Sequence, residues 1–371
     1  MNIINRKGLS MKILAIYLPQ FHRIKENDKW WGEGYTEWTA VKGAKPLMKN
    51  HYQPKVPLNK EYYDLSDKDG DVWKKQSDLA IHYGVYGFCI YHYWFKGKQL
   101  LEKPMEILLF NKHINIKYCI CWANESWTRT WYGLEKEVLI SQEYGDESDW
   151  KNHFNYLLQF FQDERYIKVN NKPMLNIYRS SDIDCLDKMI SCWNELAIKN
   201  GFNGVYIVAA NTGGVIEERE HLIDAKYNFE PGYTLNHVLP KYKRNFINIR
   251  TGIRTLYNKI FTRKIIERVI DAKMINSVMN TKVTSSKKPV YIGAFSMWDN
   301  TPRRDYKGLI YINTTPRLFE EALLKIKNLI SENNEFVYIN AWNEWGEGCY
   351  LEPDEVHKYE YLEAIKRVVS S

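Results

Sequence analysis

Two glutamates three residues apart, Glu344 and Glu347, sit in the stretch NEWGEG at 343–348. Making or breaking a glycosidic bond needs one carboxyl group to protonate the departing oxygen and a second to act as nucleophile or base. Gly346 and Gly348 flank the second glutamate and relax the backbone there, so both carboxyls are expected at one mouth of the scaffold. Mutual repulsion, together with burial among tryptophans, predicts a raised pKa for one of the two. The competing reading makes one glutamate a helix N-terminal carboxylate and leaves only the other for chemistry.

Similar residues close other apolar runs. Glu37 and Trp38 follow the first; His92 and Tyr93 end the second. The third delivers Trp122, Asn124, Glu125 and Trp127, with Arg129 and Trp131 just beyond. Arg179, Asn211 and Glu230 close the next three, and Trp298, Asp299 and Arg303 the seventh. Asn343 and Trp345 flank the glutamate pair itself. A core explains aromatic residues within strands. It does not explain carboxylates, amides and arginines beside tryptophans at nearly every strand end, so all of these except Arg129 and Trp131 are assigned to substrate binding. His92 reads equally as a sugar-hydroxyl ligand or a satisfied core histidine. Asp67-Lys68-Asp69 and Asp182-Ile183-Asp184 have the DxD form of nucleotide-sugar enzymes but lie in polar loops, where turn chemistry is the simpler account.

These residues must be held by a repeating frame. Eight runs rich in β-branched and aromatic residues begin at KILAIYLPQF (12–21) and end at FVYINAWNEW (336–345), with amphipathic helical segments between them. Strands apolar on both faces and alternating with helices imply a parallel sheet covered on both sides. Eight units imply a closed (β/α)₈ TIM barrel with its site at the C-terminal strand ends. An open doubly wound sheet would want a Gly-rich phosphate turn, and neither GxGxxG nor GxxxxGK[ST] occurs. The chain, 1–371, is read as one catalytic domain with two elaborations: an aromatic-rich loop insertion at 22–70 and a basic insertion at 233–288 before strand seven.

Composition narrows the class. The chain has 13 Trp and 27 Tyr, which suits either a large aromatic core or a carbohydrate cleft whose sugar faces pack on rings. Six scattered cysteines, without CxxC or a His cluster, argue against a zinc site and a disulfide framework and for a reducing, cytoplasmic setting. No cofactor or metal is expected. The run Ile13–Leu18 is too short for a secretory signal, and no stretch approaches a membrane span. Between His237 and Lys288 there are 13 Lys/Arg against Glu267 and Asp271, an excess of +11 in a protein of net +7. From Leu256 to Met274, apolar residues at helical spacing predict packing on the barrel. The alternative is peripheral contact with the inner membrane or a lipid-linked glycan through 237–288. With few aromatics to stack bases there, nucleic acid is not an expected partner; an oligosaccharide or polysaccharide is.

YLPQFH (17–22), WWGEGYTEWTAVKGAKPL (30–47), HYQPKVP (51–57), ICWANESWTRTW (120–131), SQEYGD (141–146), WDNTPRR (298–304) and NAWNEWGEG (340–348) together resemble the WbsX-type proteins of bacterial O-antigen and capsule clusters. That group is similar to glycoside hydrolase family 99, the endo-α-mannosidases and endo-α-mannanases. The resemblance runs from about residue 12 to 365. It implies a retaining mechanism in which Glu344 deprotonates the substrate's own 2-hydroxyl, giving a 1,2-anhydro sugar. Glu347 would protonate the leaving oxygen and later activate the acceptor. Mannose specificity is not implied, because the basic insertion departs from family 99. Three functions stay open: a retaining, endo-acting glycosidase or transglycosidase on a surface polysaccharide; a glycosyltransferase of O-antigen or capsule biosynthesis; and a non-catalytic glycan-binding barrel.

Overall fold

The computed structural model describes residues 11–128, 137–281, 286–331 and 334–371. Eight parallel strands form the barrel: β1 Lys12–Tyr17, β2 Gly87–Phe95, β3 Lys117–Trp122, β4 Lys172–Ile177, β5 Tyr206–Asn211, β6 Ala225–Asn228, β7 Val290–Phe295 and β8 Phe336–Asn340. They pair in chain order, and β8 returns to β1 at Lys12↔Phe336 while β1 meets β2 at Leu14↔Gly87, closing the sheet. The strands pack inward against the barrel core and outward against helices, which is why most of them read as near-continuous apolar runs.

Helices α1 Lys25–Trp31, α2 Glu37–Gly43 and α3 Asp71–His82 lie between β1 and β2. α4 Lys103–Phe110, α5 Glu147–Phe161 and α6 Leu186–Lys199 follow β2, β3 and β4. Between β5 and β6 the expected helical segment is only a 3₁₀ turn, Glu220–Leu222. α7 Lys241–Ile260 and α8 Ala272–Asn276 follow β6, α9 Thr301–Arg304 and α10 Pro316–Lys327 follow β7, and α11 Glu360–Ser370 closes the chain. Local chemistry sets the ends: the Asp146 side chain accepts from the Ser148 and Asp149 amides at the start of α5, and Thr315 caps α10 ahead of Pro316. α10 turns Phe319, Leu323 and Ile326 onto the barrel. Truncating such a residue, as in Phe319→Ala, costs about 3–5 kcal/mol.

The basic insertion departs from expectation. The Leu256–Met274 spacing is not one helical segment, because α7 ends at Ile260 and Arg268–Asp271 becomes a strand beside Leu309–Ile312. Val269 and Ile270 are β-branched and find an open edge to pair with, which outweighs their helical spacing. Ile266 and Ile270 are buried, but Ile260 is not. The six cysteines are all free, and Cys89, Cys119 and Cys121 are buried in the barrel strands. Both DxD segments make turns: Asp67 accepts from the Asp69 and Asp71 amides, and Asp182 pairs with Arg179 at 3.0 Å.

Candidate active site

Beyond β8 the chain forms a small hairpin in which Asn343–Glu344 pairs antiparallel with Cys349–Tyr350, and Trp345–Glu347 make a single 3₁₀ turn at its tip. Gly348 takes φ +57°, and a Cβ there would come within 2.8 Å of the Asp299 carbonyl oxygen. Gly346 is needed for a different reason. The Glu37 carboxylate and the Arg303 guanidinium cross over it, and any Cβ would collide with both.

Arg303, from α9, joins three carboxyl groups. Its Nε and Nη2 donate to one oxygen of Glu37, on α2, at 2.9 and 2.7 Å. Nη1 donates to Glu347 at 3.0 Å, and Nη2 lies 3.6 Å from Glu344. Glu37 is 1% exposed and Glu344 7%, so the guanidinium is the charge that lets them sit together. Burial raises the Glu344 carboxyl to about 8, the charge of Glu347 adds to the rise, and Arg303 opposes it. Burial also raises Glu347, against the pull of its closer Arg303 contact. The two carboxyls titrate as a pair, and the nearer guanidinium favours Glu347 as the member that carries the charge.

Both glutamates open onto a cavity of about 340 Å³ at the C-terminal ends of the strands. Of the residues assigned from sequence, Tyr93, Glu125, Trp298 and Arg303 share its wall with Glu344 and Glu347. Tyr91, Tyr178 and Phe229 supply aromatic wall, and Gln20 donates to the Tyr93 hydroxyl at 3.1 Å. Arg268, Asn300 and Arg304 add further polar wall. Arg268 is delivered by the basic insertion, through the strand that pairs it with Leu309. Its only sequence signal was that the insertion precedes the seventh strand. Asn124 and Arg179 line an adjoining cleft of about 490 Å³, and Glu125 borders both spaces. There Arg179 pairs with Glu125 at 3.3 Å, while burial pushes the Glu125 carboxyl up against that pairing.

The other assigned residues are not placed at this cavity. Strand side chains alternate, so Tyr91 and Tyr93 face the cavity while His92 faces the helices, with Nε2 3.0 Å from His153 of α5. Burial lowers His92 to about 3, the value of a neutral packed imidazole. Trp122 likewise points outward, against His153 and Trp193. Trp38 packs on Phe21, Tyr63 and Trp345, and Trp345 itself stacks on Tyr350 at 3.8 Å. Trp127 lies edge-on to Trp30 and Tyr93, one layer behind the wall. These tryptophans pack against other rings, because their strand, helix or turn directs them away from the mouth. Arg129 and Trp131 lie outside the described residues.

The polar members brace the mouth. Asn343 holds the Leu18 amide and carbonyl at 2.7 and 3.0 Å. Asp299 accepts from His51 at 2.8 Å, Gln53 at 2.6 Å and Thr301 at 2.6 Å. Burial works against its charge, but those donors and Lys55 outweigh it and hold Asp299 below the usual carboxylate range. Asn211 donates to Asn228 at 3.1 Å. Glu230 is raised to about 7 by burial and accepts from the Thr234 hydroxyl and amide. Among the described residues no group of three or more His, Cys, Asp or Glu is placed to hold a metal ion.

A family profile described as Glycosyltransferase WbsX matches residues 13–365. WxcX of Xanthomonas campestris pv. campestris, an uncharacterized protein, is 32% identical over 98% of this chain. The chain spans about half the length of that relative, 50%. Among solved structures, a glycoside hydrolase-like protein aligns with TM-score 0.60 and 12% identity, covering 100% of this chain and 96% of its own. The GH99 endo-α-mannosidase of Bacteroides thetaiotaomicron aligns with TM-score 0.57 and 12% identity over 98% of both chains. At that identity the likeness is one of fold.

Proposed function

This chain belongs to the WbsX family, and from that premise we propose that it is a carbohydrate-active enzyme whose Glu344 and Glu347 work on a glycosidic bond. The observation that carries the reading is the pair itself: two carboxyls on one cavity, with Arg303 at 3.0 Å from Glu347 and 3.6 Å from Glu344. General acid–base chemistry on an acetal needs one carboxyl to give a proton and another to carry charge, and the closer guanidinium favours the charge on Glu347. Structural glutamates would gain nothing from facing an open space side by side.

The substrate we propose is a bacterial surface polysaccharide or its precursor, handled by a retaining hydrolase or transglycosidase. The proton balance favours Glu344 as the acid toward the leaving oxygen. Glu347 is then the base or nucleophile, acting directly or through the substrate's 2-hydroxyl. This reverses the roles that the family-99 resemblance implies. The family's description favours a second reading, in which the bond is formed with a nucleotide sugar as donor.

One set of incubations separates these. The protein is mixed with surface glycan of its own strain, with and without nucleotide sugars, and products are weighed by mass spectrometry. Products without a nucleotide sugar support the hydrolase or transglycosidase, and strict dependence on one supports the transferase. Glu344→Gln and Glu347→Gln should fold normally and each lose about 10²–10⁴-fold in turnover. An aryl glycoside whose leaving group needs no proton should restore activity to Glu344→Gln alone. Restoration of Glu347→Gln instead would return the acid role to Glu347.

A further inference from the structure

Helix α7 differs from the helices packed around the barrel, because none of its side chains is buried. α11 carries a comparable pattern and turns Leu362, Ile365 and Val368 inward. The apolar residues of α7 are just as regular. Tyr242, Phe246, Ile249, Ile253, Leu256 and Ile260 recur at alternating spacings of four and three, and each is 57–70% exposed. At 3.6 residues per turn they fall within an arc of about 80°. The helix holds to the protein by its other side. Arg254 Nη1 donates to the Ile266 carbonyl and Asn258 Nδ2 to the Ile265 carbonyl, each at 2.8 Å, and Thr255 donates to Glu267 at 2.9 Å. These bonds fix the stripe facing out.

The flanking charges decide what covers it. α7 carries Lys241, Lys243, Arg244, Arg250, Arg254 and Lys259 with no Asp or Glu, and Arg263 and Lys264 follow. On the helical wheel Arg250 and Lys243 stand about 80–100° to one side of the stripe, and Lys241 and Lys259 about 100° to the other. Two copies joined stripe to stripe would bring these cations together with no carboxylate on either helix to answer them. An anionic bilayer answers both features. Its acyl boundary takes the apolar side chains, while the flanking lysines and arginines reach the headgroup phosphates with their stems along that boundary. We propose that α7 is an interfacial helix that docks this protein on an anionic membrane surface. No helix among the described residues is long and apolar enough to cross a membrane, so the attachment lies in the plane of the surface. It brings chemistry close to that surface: the α7 anchor points lead directly to Arg268, in the wall of the Glu344–Glu347 cavity.

Vesicle co-sedimentation of the full chain tests this without reference to catalysis. Phosphatidylcholine vesicles containing phosphatidylglycerol should pellet the protein at low salt, and phosphatidylcholine alone should not. Raising the salt should weaken binding as screening shortens to about 3 Å near 1 M. Ile249→Gln with Ile253→Gln should lower vesicle affinity by about tenfold or more at unchanged charge. Arg250→Glu with Lys259→Glu should remove the preference for anionic vesicles. All four positions are exposed, so circular dichroism and melting temperature should hold. Failure of the wild type to bind anionic vesicles, or equal binding by the glutamine pair, overturns the proposal. So does a wild-type dimer in sedimentation equilibrium that the glutamine pair converts to monomer, since the stripe would then be a protein interface.

Discussion

Replacing Arg303 by methionine removes the guanidinium from among three carboxyl groups while keeping much of the side chain's length. Glu37 is the most enclosed of the three, 1% exposed, and both of its bonds from Arg303 end on one oxygen. Its other oxygen is buried without a hydrogen-bond partner among the described residues. Stranding one member of a buried ion pair costs about 3–5 kcal/mol. That loss is expected for Arg303→Met at pH 7. Denaturant titrations of Arg303→Met, Glu37→Gln and the double variant measure this. The double variant leaves a neutral amide in place of the charge, so it should recover about 2–3 kcal/mol relative to the sum of the single losses. A stable Arg303→Met at pH 7 or strictly additive variants would refute the reasoning.

Other outcomes follow from the same electrostatics and packing. Because burial holds the proton on Glu344 up to about 8, turnover that uses it should fall as pH rises through that value; a pH–rate profile flat from about 7 to 9.5 would remove Glu344 as the acid. Glu352 is likewise raised to about 8 by burial and accepts from Trp345 and Tyr63, so its folded-state proton is lost well above the unfolded value. The melting temperature should therefore decline between about pH 4.5 and 8, and Glu352→Gln should flatten that decline in scanning fluorimetry; an unchanged slope would count against it. Trp122→Ala should cost about 3–5 kcal/mol of stability, as for any buried aromatic residue. Trp298→Ala, at the half-buried cavity wall, should weaken oligosaccharide binding with a smaller loss of melting temperature; equal thermal losses for the two would contradict their separation into core and wall.

What the sequence alone determined is what is local. Two-sided burial makes most barrel strands near-continuous apolar runs, so eight strands and most of the helices between them were legible without coordinates. Glu344 and Glu347 were legible as a pair because one short turn carries both. Facing was not. His92 and Tyr93 are neighbours in sequence and point to opposite sides of β2, and only the strand's register against the barrel interior decides which meets the cavity. Glu37 and Arg303 are separated by 266 residues, and no local pattern announces that they cross over Gly346. The same holds for α7: periodicity marks a stripe, but whether it turns inward or outward depends on which side the tertiary fold anchors. Covalent neighbours and repeat spacing are properties of the chain. Which face a regular element presents is settled only by the surfaces that pack against it.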